Sequence, residues 1–549
     1  MVRTRDLTGG LFAAVFPDAS REEALAMMQH ALSGLQHRGQ DALGWVMVDA
    51  TGSLATFTGR GQVSQLLTDD IVRSAAGASH SNDETKGRVV AALAVTQQLK
   101  KTGGESAQQA PFVETLSTGE QLVWAWNGHL SVELADWWEE RAGEPSERLT
   151  GLPGAYALVG LWQDTLFLLR DAHGVKPLFY GRLDGMVLVA SETSVLDHLG
   201  ASDIEGVSPG ALVTFSLKPY YERTSDLSGR STPSGHRGAT PALPNRVPLV
   251  SAKDSKLCAF EAIYYSRTDA RLFDRSVYAL RKGMGEKLAE ANVPDADVVI
   301  GVPDSGTAAA VGYAQKSGYP LEMGLVKNRY VGRTFIQTTQ AARERGVRQK
   351  LSVIEDVVRH KRVILVDDSI VRGTTARWNV QLLRDAGARE VHLRISAPPV
   401  RAACPFDILG TPEEELFVTS ILNTAYHINQ SKEVHTGSDV LAADALQQLA
   451  RRLGADSLYF LPLSAFKEVL QNVYCTECFY GRACDSGPST EQHTPFRTQQ
   501  RIEQSTQLSS QLDSRQDTQH DTQQDMQLGT QQSTQQSTRL KEAHHARSL

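Results

Sequence analysis

The chain has 549 residues, 41% hydrophobic and 22% charged, the balance of a soluble globular protein; at about 150 residues per domain it predicts three or four units. A net charge of -7 and a pI of about 6.1 give no electrostatic ground for a nucleic acid or an anionic membrane as partner. No run nears the ~18 apolar residues of a membrane helix, and the apolar run in MVRTRDLTGGLFAAVF is too short for a secretory signal, so the expectation is a cytoplasmic protein with reduced cysteines.

Residues 1–221 alternate short strand-like runs, GWVMV (44–48), YALVGLW (156–162) and GMVLVAS (185–191), with turns; SREEALAMMQHALSGL (20–35) reads as an amphipathic helix capped by Ser20. The Ser-, Gly- and Pro-rich stretch 222–246 reads as a linker. In 247–486 strands and helices alternate: DVVIGVP (297–303), GTAAAVGYAQKSG (306–318), RVILVDD (362–368), ARWNVQLLRDAG (376–387) and EVHLRIS (390–396). That alternation predicts a parallel sheet with crossover helices. Residues 487–549 are Gln, Ser, Thr and Asp with almost no large apolar side chains, too few to offset the entropy of ordering; a disordered tail is expected.

The stretch VILVDDSIVRGTT (363–375) carries the chemistry. In an open parallel sheet, ligands bind beyond the carboxyl ends of the strands. There Asp367 and Asp368 can hold sugar hydroxyls and Mg2+, while Ser369, Ile370, Val371, Arg372, Gly373, Thr374 and Thr375 lead into a helix whose free N–H groups can cradle a phosphate. The plainer reading is a strand end followed by a helix cap. VPDSG (302–306) ends a second strand with Ser305, and GLVKNRYVGRTFIQTTQAARERGVRQKL (324–351) is polar and basic, suiting a lid over a pyrophosphate or simply a solvated loop.

These segments, with GADSLYFL (454–461), LQHRGQDALG (35–44), RDAHGVKPLFYG (170–181) and ASETSVLD (190–197), resemble the amidophosphoribosyltransferases (glutamine phosphoribosylpyrophosphate amidotransferases). The resemblance implies an α/β chain: an N-terminal-nucleophile αββα glutaminase-like domain, then a Rossmann-like type I phosphoribosyltransferase domain. It further implies that ammonia displaces pyrophosphate from phosphoribosyl pyrophosphate, giving 5-phosphoribosylamine. Ser305, Asp367 and Asp368 would organise Mg2+, residues 369–375 would hold the 5-phosphate, and Lys327, Arg329, Tyr330 and Arg333 would belong to the closing loop. A homo-oligomer is expected on the same ground.

One C-x-x-C (Cys475, Cys478) and two distant cysteines, Cys258 and Cys404, match a zinc ribbon poorly and suit a cluster of four thiolates gathered by the fold, with structural zinc or merely buried thiols as alternatives. The resemblance to the iron–sulfur branch of the family implies a [4Fe–4S] cluster on these four, leaving Cys484 aside.

The family's glutaminase starts at a cysteine whose own amine is the base. Here the matching stretch, TGGLFAAVF (8–16), puts Gly9 at that place, and the chain has no cysteine before Cys258. The stretch AVTQQLKKTGG (94–104) lacks the arginine expected to grip glutamine, and the segment after Asn127–Gly128 is shortened. Asn127 and Gly128 remain as an oxyanion-hole remnant; Thr8 as a replacement nucleophile would be out of register. The expectation is a transferase fed by ammonia or by a partner glutaminase; the alternative is a glutaminase-dead pseudoenzyme that binds phosphoribosyl pyrophosphate or nucleotides and regulates a catalytic relative.

Overall fold

The computed structural model describes residues 5–68, 88–99, 110–221, 243–250, 256–328, 351–426 and 439–480, except for 273, 405, 407, 409 and 472. The linker core (222–242), the tail (487–549) and Arg329, Tyr330, Arg333 and Cys484 lie outside the described residues.

The N-terminal half is a sandwich of two antiparallel sheets tied together by one long strand, Arg5–Ser20. Its first residues, Arg5–Leu7, pair with Gly128–Leu130 of one sheet; from Thr8 onward it pairs with Arg88–Gln98, and over Phe12–Val15 with Val187–Ala190, of the other. Side chains alternate along it as a strand requires. Leu11, Ala13 and Val15 enter the core between the sheets, whereas Phe12, Ala14 and Phe16 meet the helix Arg21–Leu35. That helix begins at Ser20 with a reciprocal capping box to Glu23 and buries Leu25, Met28, Leu32 and Leu35 on one face. On the outer face of the sheet that holds Gly128–Leu130 lie, among the described residues, the short helices Leu134–Glu139 and Pro145–Arg148, with Trp138 packed on Trp124, Trp162 and Phe167. The strand Asn245–Pro248 joins this sheet beside Ala211–Ser216, so the end of the expected linker belongs to the sandwich.

The C-terminal half holds a parallel sheet in the order Val298–Gly301, Arg362–Asp367, Glu390–Ile395, Ser457–Phe460. Both faces are covered, which explains the unbroken apolar runs. Val299, Ile364 and Val366 pack with the helices Val277–Ala291 and Thr307–Ser317; Val298, Ile300, Val363 and Leu365 pack with Thr374–Asp385 and Ala443–Leu453. Among the described residues no helix is long and apolar enough to cross a membrane.

Candidate active site

At the carboxyl end of the parallel sheet lies a cleft of about 880 Å³. It collects Ser305, Lys327, Asp367, Asp368 and the whole loop Ser369–Thr375, residues drawn from three separate segments of chain. Asp367 Oδ1 accepts from Ser305 Oγ at 3.2 Å and from the Asp368 amide at 2.9 Å; Asp368 Oδ1 accepts from the Ser369 amide at 2.7 Å. The second oxygen of Asp368 is buried with no hydrogen-bond partner among the described residues. Burial raises the pKa of both carboxyls, that of Asp368 more strongly because Asp367 lies beside it. A buried, unpaired carboxylate oxygen next to a second acid is what a divalent cation would satisfy.

The loop after the acids meets the helix Thr374–Asp385 at Gly373 (φ +77°), and no side chain caps that helix end, so its first N–H groups are open to an anion. A Cβ at Gly373 would come 2.5 Å from the Phe417 ring, which packs over the loop while its amide donates to Val371 O at 2.8 Å. Arg372 turns its guanidinium to Glu415 (2.7 Å) and Gly410 O (2.9 Å). Lys327 Nζ lies 2.8 Å from Asp304 Oδ2 at the rim.

The glutaminase-like face has a different geometry. Gly9 lies inside the paired strand opposite Gln97, and a Cβ there would stand 1.9 Å from the Thr96 carbonyl oxygen. Thr8 sits in the same strand opposite Gln98. The Gly9 amide reaches Asn127 Oδ1 at 3.5 Å, Leu7 pairs with Gly128, and Asn127 Nδ2 is buried without a hydrogen-bond partner among the described residues.

The four cysteines come from three segments that meet. Cys258 lies opposite Cys475 in a short parallel pairing, and the Arg401 and Ala402 amides donate to Cys478 O at 2.8 and 3.0 Å, bringing the Cys404 segment alongside. None of the four forms a disulfide among the described residues; burial pushes Cys258 up to about 12, with Lys176 lowering it and Cys404 raising it. Among the described residues no three His, Cys, Asp or Glu side chains converge as they would on a bound metal ion.

Comparison with known proteins decides the family. Residues 116–198 match the glutamine amidotransferase domain. Amidophosphoribosyltransferase from Mycobacterium tuberculosis is 35% identical over 497 residues, covering 84% of each chain; that from Bacillus subtilis is 32% identical over 507 residues, covering 85% of this chain and 93% of that one. The chain belongs to the amidophosphoribosyltransferase family. Two solved structures share its fold. One, described as the allosteric regulatory enzyme of purine biosynthesis, superposes with a TM-score of 0.69 at 30% identity, covering 88% of this chain and 97% of that one. The other, the B. subtilis glutamine phosphoribosylpyrophosphate amidotransferase with ADP and GMP, gives 0.68 at 29%, covering 88% and 99%.

In this amidophosphoribosyltransferase-family chain a buried ionic network joins the two halves. Arg38 Nε lies 2.5 Å from Glu192 Oε1, its Nη2 lies 2.8 Å from Glu261 Oε2, and Lys176 Nζ lies 3.3 Å from Glu261 Oε1. His37 Nε2 adds a 2.6 Å contact to Glu192, and the Arg267 amide donates to Glu192 at 3.0 Å. Burial would raise the Glu192 carboxyl, but Arg38 and His37 bring it down to about 2. Glu261 opens the turn Glu261–Tyr265, from which Tyr264 and Tyr265 line the cleft beside Phe260. None of this was legible locally: Arg38 is 154 residues from Glu192 and 223 from Glu261.

Proposed function

We propose that the chain forms 5-phosphoribosylamine from phosphoribosyl pyrophosphate and ammonia. The observation that carries this reading is the cleft in which Ser305, Lys327, the paired acids and the loop 369–375 stand together at the end of a parallel sheet. The 5-phosphate would rest on the N–H groups at the start of the helix Thr374–Asp385, the ribose hydroxyls on Asp367 and Asp368, and the pyrophosphate toward Ser305 and Lys327. Mg2+ fits the unpaired oxygen of Asp368 and would neutralise charge on the pyrophosphate. Ammonia then forms the C1–N bond as the C1–O bond breaks, the pyrophosphate leaving with the electron pair and the new amine losing a proton. Such chemistry draws mainly on positioning and charge stabilisation.

The glutaminase half is proposed to be inactive. Gly9 offers no nucleophile, and the backbone of Thr96 fills the space a side chain would need. Cys258, Cys404, Cys475 and Cys478 are proposed to hold a [4Fe–4S] cluster that pins the C-terminal segment to the parallel-sheet half; the adjacency of their three chain segments supports it. The test is direct. With ammonium, Mg2+ and phosphoribosyl pyrophosphate at mildly alkaline pH, purified protein should release pyrophosphate; with glutamine it should release no glutamate above background. Failure of the first overturns the transferase reading, and robust glutamate release overturns the second.

A further inference from the structure

The helix Thr374–Asp385 buries four side chains, and three of them, Ala376, Val380 and Leu383, are apolar. The fourth is Asn379. It is fully buried, lines the cleft, and neither its carbonyl oxygen nor its amide nitrogen has a hydrogen-bond partner among the described residues. This is an unfavourable place for asparagine. Its side chain competes with helical backbone hydrogen bonds, and a buried carboxamide with both ends unpaired carries the full desolvation penalty of each. A leucine of similar size would relieve both, unless something that enters the cleft uses the amide.

Resting on the transferase reading, we propose that Asn379 is a substrate-positioning residue: its carboxamide forms a subsite for a neutral group that both donates and accepts a hydrogen bond. A phosphate would meet the carbonyl oxygen unfavourably, because both are acceptors. The loop 369–375 and Lys327 already supply what phosphates need. Two groups in the reaction have the required chemistry, a ribose hydroxyl and the incoming nitrogen nucleophile, and kinetics separates them.

The experiment compares the parent protein with Asn379→Leu, and with Asn379→Ala as a second variant. Melting temperature, calorimetric binding of phosphoribosyl pyrophosphate with Mg2+, and ammonium-dependent turnover are measured for each. Asn379→Leu should melt no lower than the parent and lose tenfold or more in one constant. A raised KM for ammonium alone identifies the nucleophile as the ligand; weaker binding of phosphoribosyl pyrophosphate identifies the ribose hydroxyl. Unchanged binding and turnover in both variants overturns the inference, as does a clear fall in melting temperature for Asn379→Leu, which would mean the carboxamide is paired within the fold. A parent that binds phosphoribosyl pyrophosphate more tightly than Asn379→Leu but never turns over would overturn the transferase reading and support the subsite. A parent that neither binds nor turns over would overturn both.

Discussion

Replacing Arg38 by Met keeps an unbranched apolar stem and removes the guanidinium charge from the junction of the two halves. The arginine side chain is 3% exposed and its partners Glu192 and Glu261 are 1% and 0% exposed, so water cannot take over its role. Taking away one member of a buried ion pair costs about 3–5 kcal/mol, because the remaining charge is left uncompensated. Lys176 still faces Glu261, and His37 with the Arg267 amide still face Glu192, which places the expected loss near the lower end, about 3 kcal/mol. Six of the seven tryptophans lie in the sandwich and only Trp378 in the parallel-sheet half, so urea unfolding followed by tryptophan fluorescence reports on the side that loses its arginine. Arg38→Met with Glu192→Gln should recover part of the loss, since Glu261 still pairs with Lys176 and no buried carboxylate is then left without its cation. Ammonium-dependent turnover should fall as well, at temperatures where the variant is still folded, because Glu261 opens the turn that carries Tyr264 and Tyr265 into the cleft. A loss below about 1 kcal/mol, the range of exposed ion pairs, would refute the reasoning.

Asp367→Asn and Asp368→Asn should each cost about 2–4 kcal/mol of transition-state stabilisation, roughly thirty- to a thousand-fold in turnover, with folding little changed; substantial activity in the double variant would place the site elsewhere. Gly9→Cys should gain no glutaminase activity and should lose about 1–3 kcal/mol of stability by overpacking against Thr96 O, read from denaturant midpoints. Protein purified without oxygen should be brown, with iron and sulfide near four each per chain. Cys258→Ser, Cys404→Ser, Cys475→Ser and Cys478→Ser should each lose that colour, and stoichiometric zinc without sulfide would contradict the assignment. Glu192, held at about 2 against an ordinary 4.5, contributes stability that is complete above pH 4.5 and disappears as pH falls toward 2. Acid unfolding of Glu192→Gln should therefore be less steep across that window.

Period and punctuation made much of this protein readable from its residues. The strands around 44–48, 156–162 and 362–368, the Ser20 cap and the crossover helices all follow from short-range rules, because hydrophobic spacing and capping act within a few residues. The Asp367–Asp368 pair and the loop behind it were legible for the same reason: strand, acids and helix start are contiguous. The absence of a cysteine at Gly9 was equally plain, but the packing around Gly9 was not. Thr96 lies 87 residues away, and only pairing of the two strands puts its carbonyl oxygen where a Cβ would go. Arg38, Glu192 and Glu261 likewise stand far apart in the chain, and only the closed fold brings their charges together. Asn379 reads as a polar position on a helix until the fold buries it in the cleft. Burial and long-range pairing are properties of the closed structure. They decide what a charge or an amide costs, and so which residues of this chain are free to meet a substrate.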